Sequence, residues 1–87
     1  MPKYLIFNQP PAPVPKSADV KGCVNYFLEM QVRGKARIYP VVGMKGYATF
    51  VDVANHQELI NFLKGNPMGH IERYKVYPLG DIEDMKY

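Results

Sequence analysis

The feature that most constrains the fold of this chain is the order in which two hydrophobic periods follow one another. Strand-like segments rich in β-branched and aromatic residues are predicted at 3–8, 36–42, 47–53 and 70–79. Helical three–four spacing recurs between the first and second of these segments and again between the third and fourth. The order is therefore βαββαβ, which is typical of a ferredoxin-like α+β domain with a four-stranded antiparallel sheet and two helices on one face.

Capping residues support the predicted helix boundaries. Ser17 or Asp19 can cap the first helix, and Gly34 is predicted to end it. Asn55 and Glu58 form an Asn-x-x-Glu version of the capping box at the start of the second helix. These signals lie at the junctions that the periodicity requires, so the local and the global patterns agree.

Proline and glycine define the connections. Four prolines fall within residues 10–15, where they forbid a helix or a ladder, so this segment is predicted to be an extended connector. A peptide ligand for a proline-recognition domain is the alternative interpretation of the segment. Pro40 predicts an edge position or a bulge for the second strand, and residues 43–46 predict a hairpin turn.

The length of 87 residues predicts a single domain, 1–87, with a modest core. Cys23 is the only cysteine, which excludes an intramolecular disulfide, and no Cys/His cluster has zinc spacing. Association between copies is the support that remains. The sheet face away from the helices is predicted to include some of Leu5, Phe7, Val51, Val53, Tyr74 and Val76. Such a face predicts a homodimer or larger homo-oligomer, packed sheet to sheet as a shared barrel.

Charge and hydropathy exclude several classes of partner. The formal net charge of +3 comes from scattered basic residues, whereas a nucleic-acid footprint is a denser basic stripe. No apolar run has the roughly 18–20 residues that a membrane span requires. The first residues lack the order of a signal peptide. We therefore expect a cytoplasmic protein with Cys23 reduced, and neither nucleic-acid nor membrane binding.

A set of short motifs is similar to the muconolactone Δ-isomerase family. The motifs are Glu29-x4-Gly34-Lys35, Val41-Val42-Gly43, Phe50-x-Asp52-Val53, Glu58-Leu59 with Leu63, Pro67, and Val76-x-Pro78-Leu79. The similarity runs from about residue 24 to residue 79. It implies a dimeric α+β barrel with a pocket for a small unsaturated lactone or carboxylate. It also implies transfer of a proton between carbons beside a carbonyl, with no cofactor and with Glu29 at the position of the acidic base.

The remaining candidate residues are those that could complete such a pocket. His70, at the start of the last predicted strand, could be an acid/base partner. Tyr39 and Tyr47 could line the cavity and donate hydroxyl hydrogen bonds, although core packing is the usual role of such residues. Arg37 and Arg73 could neutralise a carboxylate, although solvation is the usual role of surface arginines. Two histidines without a nearby carboxylate set predict no metal site.

Three functions remain open at this stage. The first is a cofactor-independent isomerase, which the resemblance implies through Glu29. The second is a non-catalytic small-molecule-binding or assembly module on the same barrel. This second function is favoured because the chain has no tryptophan, where the family has indoles just after the Gly-Lys pair, and because its second strand is shorter. The third is a cofactor-free barrel monooxygenase, to which no motif points. Nucleophilic catalysis finds no support, since Cys23 lies on the apolar side of a helix.

Overall fold

A computed structural model describes residues 3–85 and confirms the predicted order of elements. The elements are β1 (Lys3–Gln9), α1 (Val20–Val32), β2 (Ala36–Pro40), β3 (Tyr47–Asp52), α2 (His56–Gly65), β4 (Arg73–Leu79) and a short 3-10 helix (Ile82–Asp84). All neighbouring strands are antiparallel, and their order across the sheet is β2-β3-β1-β4. This is the α+β arrangement of a ferredoxin-like fold.

The register of the central strand decides which side chains enter the core. Ile6 lies opposite Thr49 of β3 and Val76 of β4, and both Ile6 and Thr49 are fully buried. Residues that face one another across an antiparallel pair share a face of the sheet. The covered face therefore carries alternate residues beginning with Tyr4, and it packs against buried side chains of both helices, including Phe27.

The composition of the open face differs in part from the prediction. Leu5 and Phe7 do lie on it, because they alternate with Ile6. The four other candidates do not: Val51 and Val53 are buried in the core, and Tyr74 and Val76 pair with Asn8 and Ile6 on the covered face. The sequence pattern leaves their side open because β3 and β4 are apolar on both faces, so only the register shows which face each residue joins. The open face also carries exposed rings and an aliphatic group from three strands, namely Tyr39, Phe50, Tyr77 and Leu79.

Helix α1 begins and ends as its capping residues predict. The Asp19 carboxylate accepts a hydrogen bond from the Gly22 amide at 2.9 Å, and a Cβ atom on Gly22 would lie within 2.2 Å of that carboxylate. Gly22 is therefore the residue that lets the cap close. Gly34 follows the helix with φ +72°, and the Lys35 amide donates to the Met30 carbonyl at 2.9 Å, as in a Schellman ending.

Only part of the apolar side of α1 is buried. Cys23 and Phe27 face the core, whereas Val24 and Leu28 are about half exposed, at 51% and 55%. The helix lies toward the β2 edge of the sheet, where its exposed side chains border a groove. Residues 10–19, which contain the proline-rich connector, form neither helix nor strand.

Strand β2 is an edge strand, as Pro40 predicts. Two backbone hydrogen bonds flank β2, from the Asp52 amide to the Lys35 carbonyl and from the Val41 amide to the Gly46 carbonyl. They fix which amides of the strand point toward β3. Pro40, which has no amide hydrogen, therefore stands where the backbone points away from β3. The Ile38 amide points the same way and donates to the Gln31 side chain of α1 at 3.2 Å. The free edge of β2 is thus partly closed by proline and by a helix side chain.

Three strands are shorter than predicted, β3 by one residue and β2 and β4 by two or three, and for β2 and β4 local hydrogen bonds give the reason. Strand β2 ends at Pro40 rather than at residue 42, because Val41 already closes the hairpin. Strand β4 begins at Arg73 rather than at His70, because residues 66–72 form a compact turn. In that turn the Met68 amide donates to the Asn66 side chain at 3.0 Å, and the Glu72 amide donates to the Met68 carbonyl at 3.1 Å.

Candidate ligand site

A buried carboxylate lies between the sheet and the turn that follows α2. Glu72 is 8% exposed, and three side chains donate hydrogen bonds to it. The Tyr47 hydroxyl lies 2.6 and 2.8 Å from its two oxygens, and the Nδ2 atoms of Asn66 and Asn8 lie 2.7 and 3.2 Å from Oε1. We call these four residues the Glu72 cluster. Every donor in it is neutral, so the carboxylate is held by hydrogen bonds alone.

Three separate parts of the chain build the Glu72 cluster. Asn8 comes from the end of β1 and lies directly opposite Tyr47, the first residue of β3, on the covered face. The turn at residues 66–72 supplies both Asn66 and Glu72. Because Asn66 also caps this turn through its Oδ1 atom, the amide that shapes the turn is the one that binds the carboxylate. The fold therefore fixes the cluster through tertiary contacts as well as through the loop.

The electrostatics of the cluster keep the tyrosine protonated. Among residues 3–85 the ion pairs join Glu29 to Arg33 and Lys35 to Glu58, and neither involves Glu72. Burial raises the pKa of Tyr47 well above its usual range, and the hydrogen bond to the Glu72 carboxylate raises it further. A carboxylate can only accept, so the Tyr47 hydroxyl must donate its proton to Glu72.

An apolar groove of about 410 Å³ between α1 and the β2–β3 hairpin leads to this tyrosine. Its walls include Cys23, Phe27, Leu28, Ile38, Pro40 and Tyr47, and the charged residue of its lining is Lys45. The Cys23 sulfur lies 3.8 Å from the Tyr47 oxygen. Burial raises the pKa of the Cys23 thiol, which keeps it protonated. The Tyr47 side chain thus separates the groove from Glu72 and touches both.

The structure brings one of the predicted site residues into this groove and leaves the others outside it. Tyr47 is in place. Glu29, the acidic base that the resemblance implies, has a side chain that is 56% exposed and ion-paired with Arg33 one helical turn later. The Glu29 carboxylate is therefore open to solvent and lies outside the groove. Tyr39 is exposed on the open face, where its ring meets that of Phe50 at a centroid distance of 6.1 Å.

The remaining predicted residues are dispersed over the surface. His70 is exposed and borders a separate cleft beside the turn at residues 66–72. Arg73 is exposed at the start of β4. Arg37 is exposed and lies with Lys3 and Lys35 around a depression of about 440 Å³ at one end of the sheet. None of these three residues lines the groove that contains Tyr47.

The sequence alone does not single out Glu72, Asn8 or Asn66. Glu72 falls within the last predicted strand, where a glutamate normally faces solvent. Asn66 falls in the connection before that strand, where a polar residue is common. One usable signal was the parity of β1: Asn8 continues the alternation of Tyr4 and Ile6, so it had to enter the covered face and needed a polar partner there.

Comparison with known proteins adds no assignment. No protein-family model matches the chain, and no curated protein matches it. The resemblance to the muconolactone Δ-isomerase family therefore stays a prediction based on motifs. Neither helix within residues 3–85 has the length and apolar character that a bilayer span requires. Within the same residues, no three His, Cys, Asp or Glu side chains are grouped as metal ligands would be.

Proposed function

We propose that the protein binds a small, largely apolar molecule in the α1–hairpin groove and moves a proton on it without a cofactor. The observation that carries this proposal is the position of Tyr47. Its ring borders the groove, and its hydroxyl lies within hydrogen-bond distance of a buried carboxylate. A carboxylate held beside an apolar pocket is a suitable proton acceptor, because water does not compete for it there. The resemblance supports the same class of reaction.

The proposed step balances through the Tyr47–Glu72 pair. A carbon–hydrogen bond beside the substrate carbonyl breaks, and its proton passes to the Tyr47 oxygen. In the same movement the proton of Tyr47 passes to Glu72. This route needs no free phenolate, which the raised pKa of Tyr47 disfavours. The substrate is left as an enolate, and the reverse movement returns the proton to a different carbon.

The test is deuterium exchange on a small unsaturated lactone. We would incubate the protein with 5-methyl-2(3H)-furanone in D₂O and follow its acidic C–H signal by proton NMR. The expected result is accelerated exchange that falls by roughly 100-fold in Tyr47→Phe. The matched control is Glu29→Gln, which alters an exposed carboxylate on another part of the molecule. Loss of exchange in Glu29→Gln with a normal rate in Tyr47→Phe would move the base to Glu29, as the resemblance implies.

A non-catalytic binding module is the second candidate, and one observation favours it. Glu72 accepts from three donors that come from β1, β3 and the turn before β4, so the cluster also holds these parts together. In this case the groove binds ligand, Tyr47→Phe lowers stability, and no exchange occurs in any variant. The exchange experiment therefore separates the two candidates.

We further propose that the protein acts as a homodimer or larger homo-oligomer, associated through the open face of the sheet. Exposed Tyr39, Phe50, Tyr77 and Leu79 lie there with the partly buried Leu5 and Phe7. Sedimentation velocity at micromolar concentration should show at least a dimer, and Phe50→Lys should shift it toward monomer. The control Leu28→Lys places the same charge on α1, away from the open face. A wild-type protein that is monomeric throughout would contradict the proposal.

A further inference from the structure

The hydrogen bonds of Tyr47 fix what its oxygen can offer to the groove. Its single proton is directed to Glu72, whose carboxylate cannot donate. The Asn66 Nδ2 atom lies 3.5 Å from the Tyr47 oxygen but makes its shorter bond, 2.7 Å, to Glu72. On the groove side the Cys23 thiol lies 3.8 Å from the hydroxyl oxygen and must be the donor of that contact, and a thiol is a weak donor that a ligand hydroxyl can replace. Toward the groove Tyr47 is therefore an acceptor, and a ligand must bring the hydrogen.

The charges around the groove set the polarity of the ligand along its length. The Glu72 carboxylate lies directly behind Tyr47, so a negative group of the ligand is repelled from that wall. Lys45 is the charged residue of the lining, and it lies exposed in the hairpin turn at the rim. It forms no ion pair within residues 3–85. An anionic group is therefore favoured at the rim and disfavoured at the inner wall.

We propose that the groove selects a small apolar monoanion that donates a hydroxyl hydrogen to Tyr47 and places its acidic group near Lys45, as a hydroxyaryl carboxylate does. This inference rests on the proposed function in that it uses the same groove, and it goes beyond it by naming a second ligand class, since the lactone of the exchange test carries neither a hydroxyl nor an acidic group. The aromatic or aliphatic body of the ligand lies against Phe27, Leu28 and Ile38. A ligand that directs a carbonyl or an ether oxygen at Tyr47 meets an acceptor there and binds more weakly, whereas the substrate of the proposed reaction directs a C–H bond at it.

The wild-type protein alone can test the donor requirement. We would titrate ¹⁵N-labelled protein with 4-hydroxyphenylacetate and with 4-methoxyphenylacetate, and follow the amide signals of Cys23, Phe27 and Gly46. The two probes differ by one methyl group, which replaces the hydrogen that Tyr47 needs. We expect the hydroxyl compound to bind about tenfold more tightly. Equal affinities, tighter binding of the methoxy compound, or no shift of these amides would overturn the inference.

Two variants test which end of the ligand contacts Tyr47 and which end lies near Lys45. Tyr47→Phe should abolish the preference for the hydroxyl compound, and Lys45→Met should weaken both acids roughly fivefold. The control Lys64→Met removes a lysine of α2 that lies outside the groove and should leave both affinities unchanged. If Tyr47→Phe does not fold, the comparison of 4-hydroxyphenylacetate with 4-hydroxyphenylacetamide on the wild type tests the Lys45 end instead. A preference for the amide would overturn that assignment.

Binding and exchange can fail separately. Hydroxyl-selective binding without deuterium exchange on the lactone would contradict the proposed proton transfer and support the proposed ligand class. Exchange that depends on Tyr47, with no preference between the two probes, would support the proposed reaction and contradict the proposed ligand class.

Discussion

Glu29 and Glu72 are the same residue type in opposite environments. Glu29 lies on the exposed side of α1 and shares a surface ion pair with Arg33, whereas Glu72 is buried and accepts hydrogen bonds from Tyr47, Asn66 and Asn8. An exposed ion pair is screened by water and salt, while a buried carboxylate depends on every donor around it. The comparison teaches that a sequence motif can identify a carboxylate residue without showing whether that residue is buried or exposed.

The largest expected difference between the two glutamates is in stability. Glu72→Ala leaves three buried donors without their acceptor and opens a small cavity. We expect it to lower the free energy of unfolding by about 2–4 kcal/mol. Glu29→Ala removes one exposed ion pair and should change that free energy by less than about 0.5 kcal/mol. Urea unfolding of both variants measures the contrast, and equal losses would show that the Glu72 cluster contributes no more than the surface pair.

Alkaline pH should give a smaller effect on stability, to which Tyr47 of the cluster contributes. Because burial raises the pKa of Tyr47, the folded protein keeps a proton that the unfolded chain releases above about pH 10. The contribution of Tyr47 to the free energy of unfolding is therefore fully present below that pH. It falls by about 1.4 kcal/mol for each pH unit above it. Burial also raises the pKa of Tyr26 and of Cys23, which act in the same direction, and the effect of Cys23 begins at lower pH.

Two tyrosine variants isolate the contribution of Tyr47 to this decline. Tyr47→Phe should flatten the loss of stability between pH 10 and 11 in urea unfolding experiments. Tyr77→Phe, which removes a hydroxyl from the open face of the sheet, should retain the wild-type dependence of stability on pH. Identical slopes in wild type and Tyr47→Phe would mean that the phenol titrates equally in the folded and unfolded states.

The smallest expected effect concerns salt. Arg33→Gln removes the partner of Glu29 and should lower the free energy of unfolding by less than about 0.5 kcal/mol at low ionic strength, and by nothing measurable in 1 M NaCl. The loss caused by Glu72→Ala should persist in 1 M NaCl, because its hydrogen bonds are shielded from the solvent. A salt-sensitive Glu72→Ala effect would indicate that water and ions reach the cluster.

Local rules were sufficient to predict most of the fold. Asn55 caps α2 by accepting from the Glu58 amide at 2.9 Å, Gly34 ends α1 in a left-handed conformation, and Pro40 lies on an edge strand. One detail differs: the Glu58 side chain accepts from the Ala54 amide rather than from that of Asn55. Each of these signals acts over a few residues, which is why the sequence alone contains it.

The candidate site depended on contacts that no local rule contains. Asn8 and Glu72 are 64 positions apart and meet only when β1 and the turn before β4 are both in place. The turn itself looked like strand, because His70, Ile71 and Glu72 lead without interruption into the apolar alternation of β4. The sequence leaves the faces of Val51 and Val53 open for a related reason, since the register between strands decides which face of the sheet each residue joins.

The closed edge of β2 has a consequence for how copies of this protein can accumulate. Head-to-tail growth of a sheet into a fibre requires β2 of one molecule to add to β4 of the next. Pro40 cannot donate to such a neighbour, and the Ile38 amide is already bonded to Gln31. The β4 edge can still meet another β4 edge, but that pairing is two-fold and stops at two molecules. Open-ended polymerisation through the edges of the sheet is thereby disfavoured at high concentration, whichever ligand the groove holds.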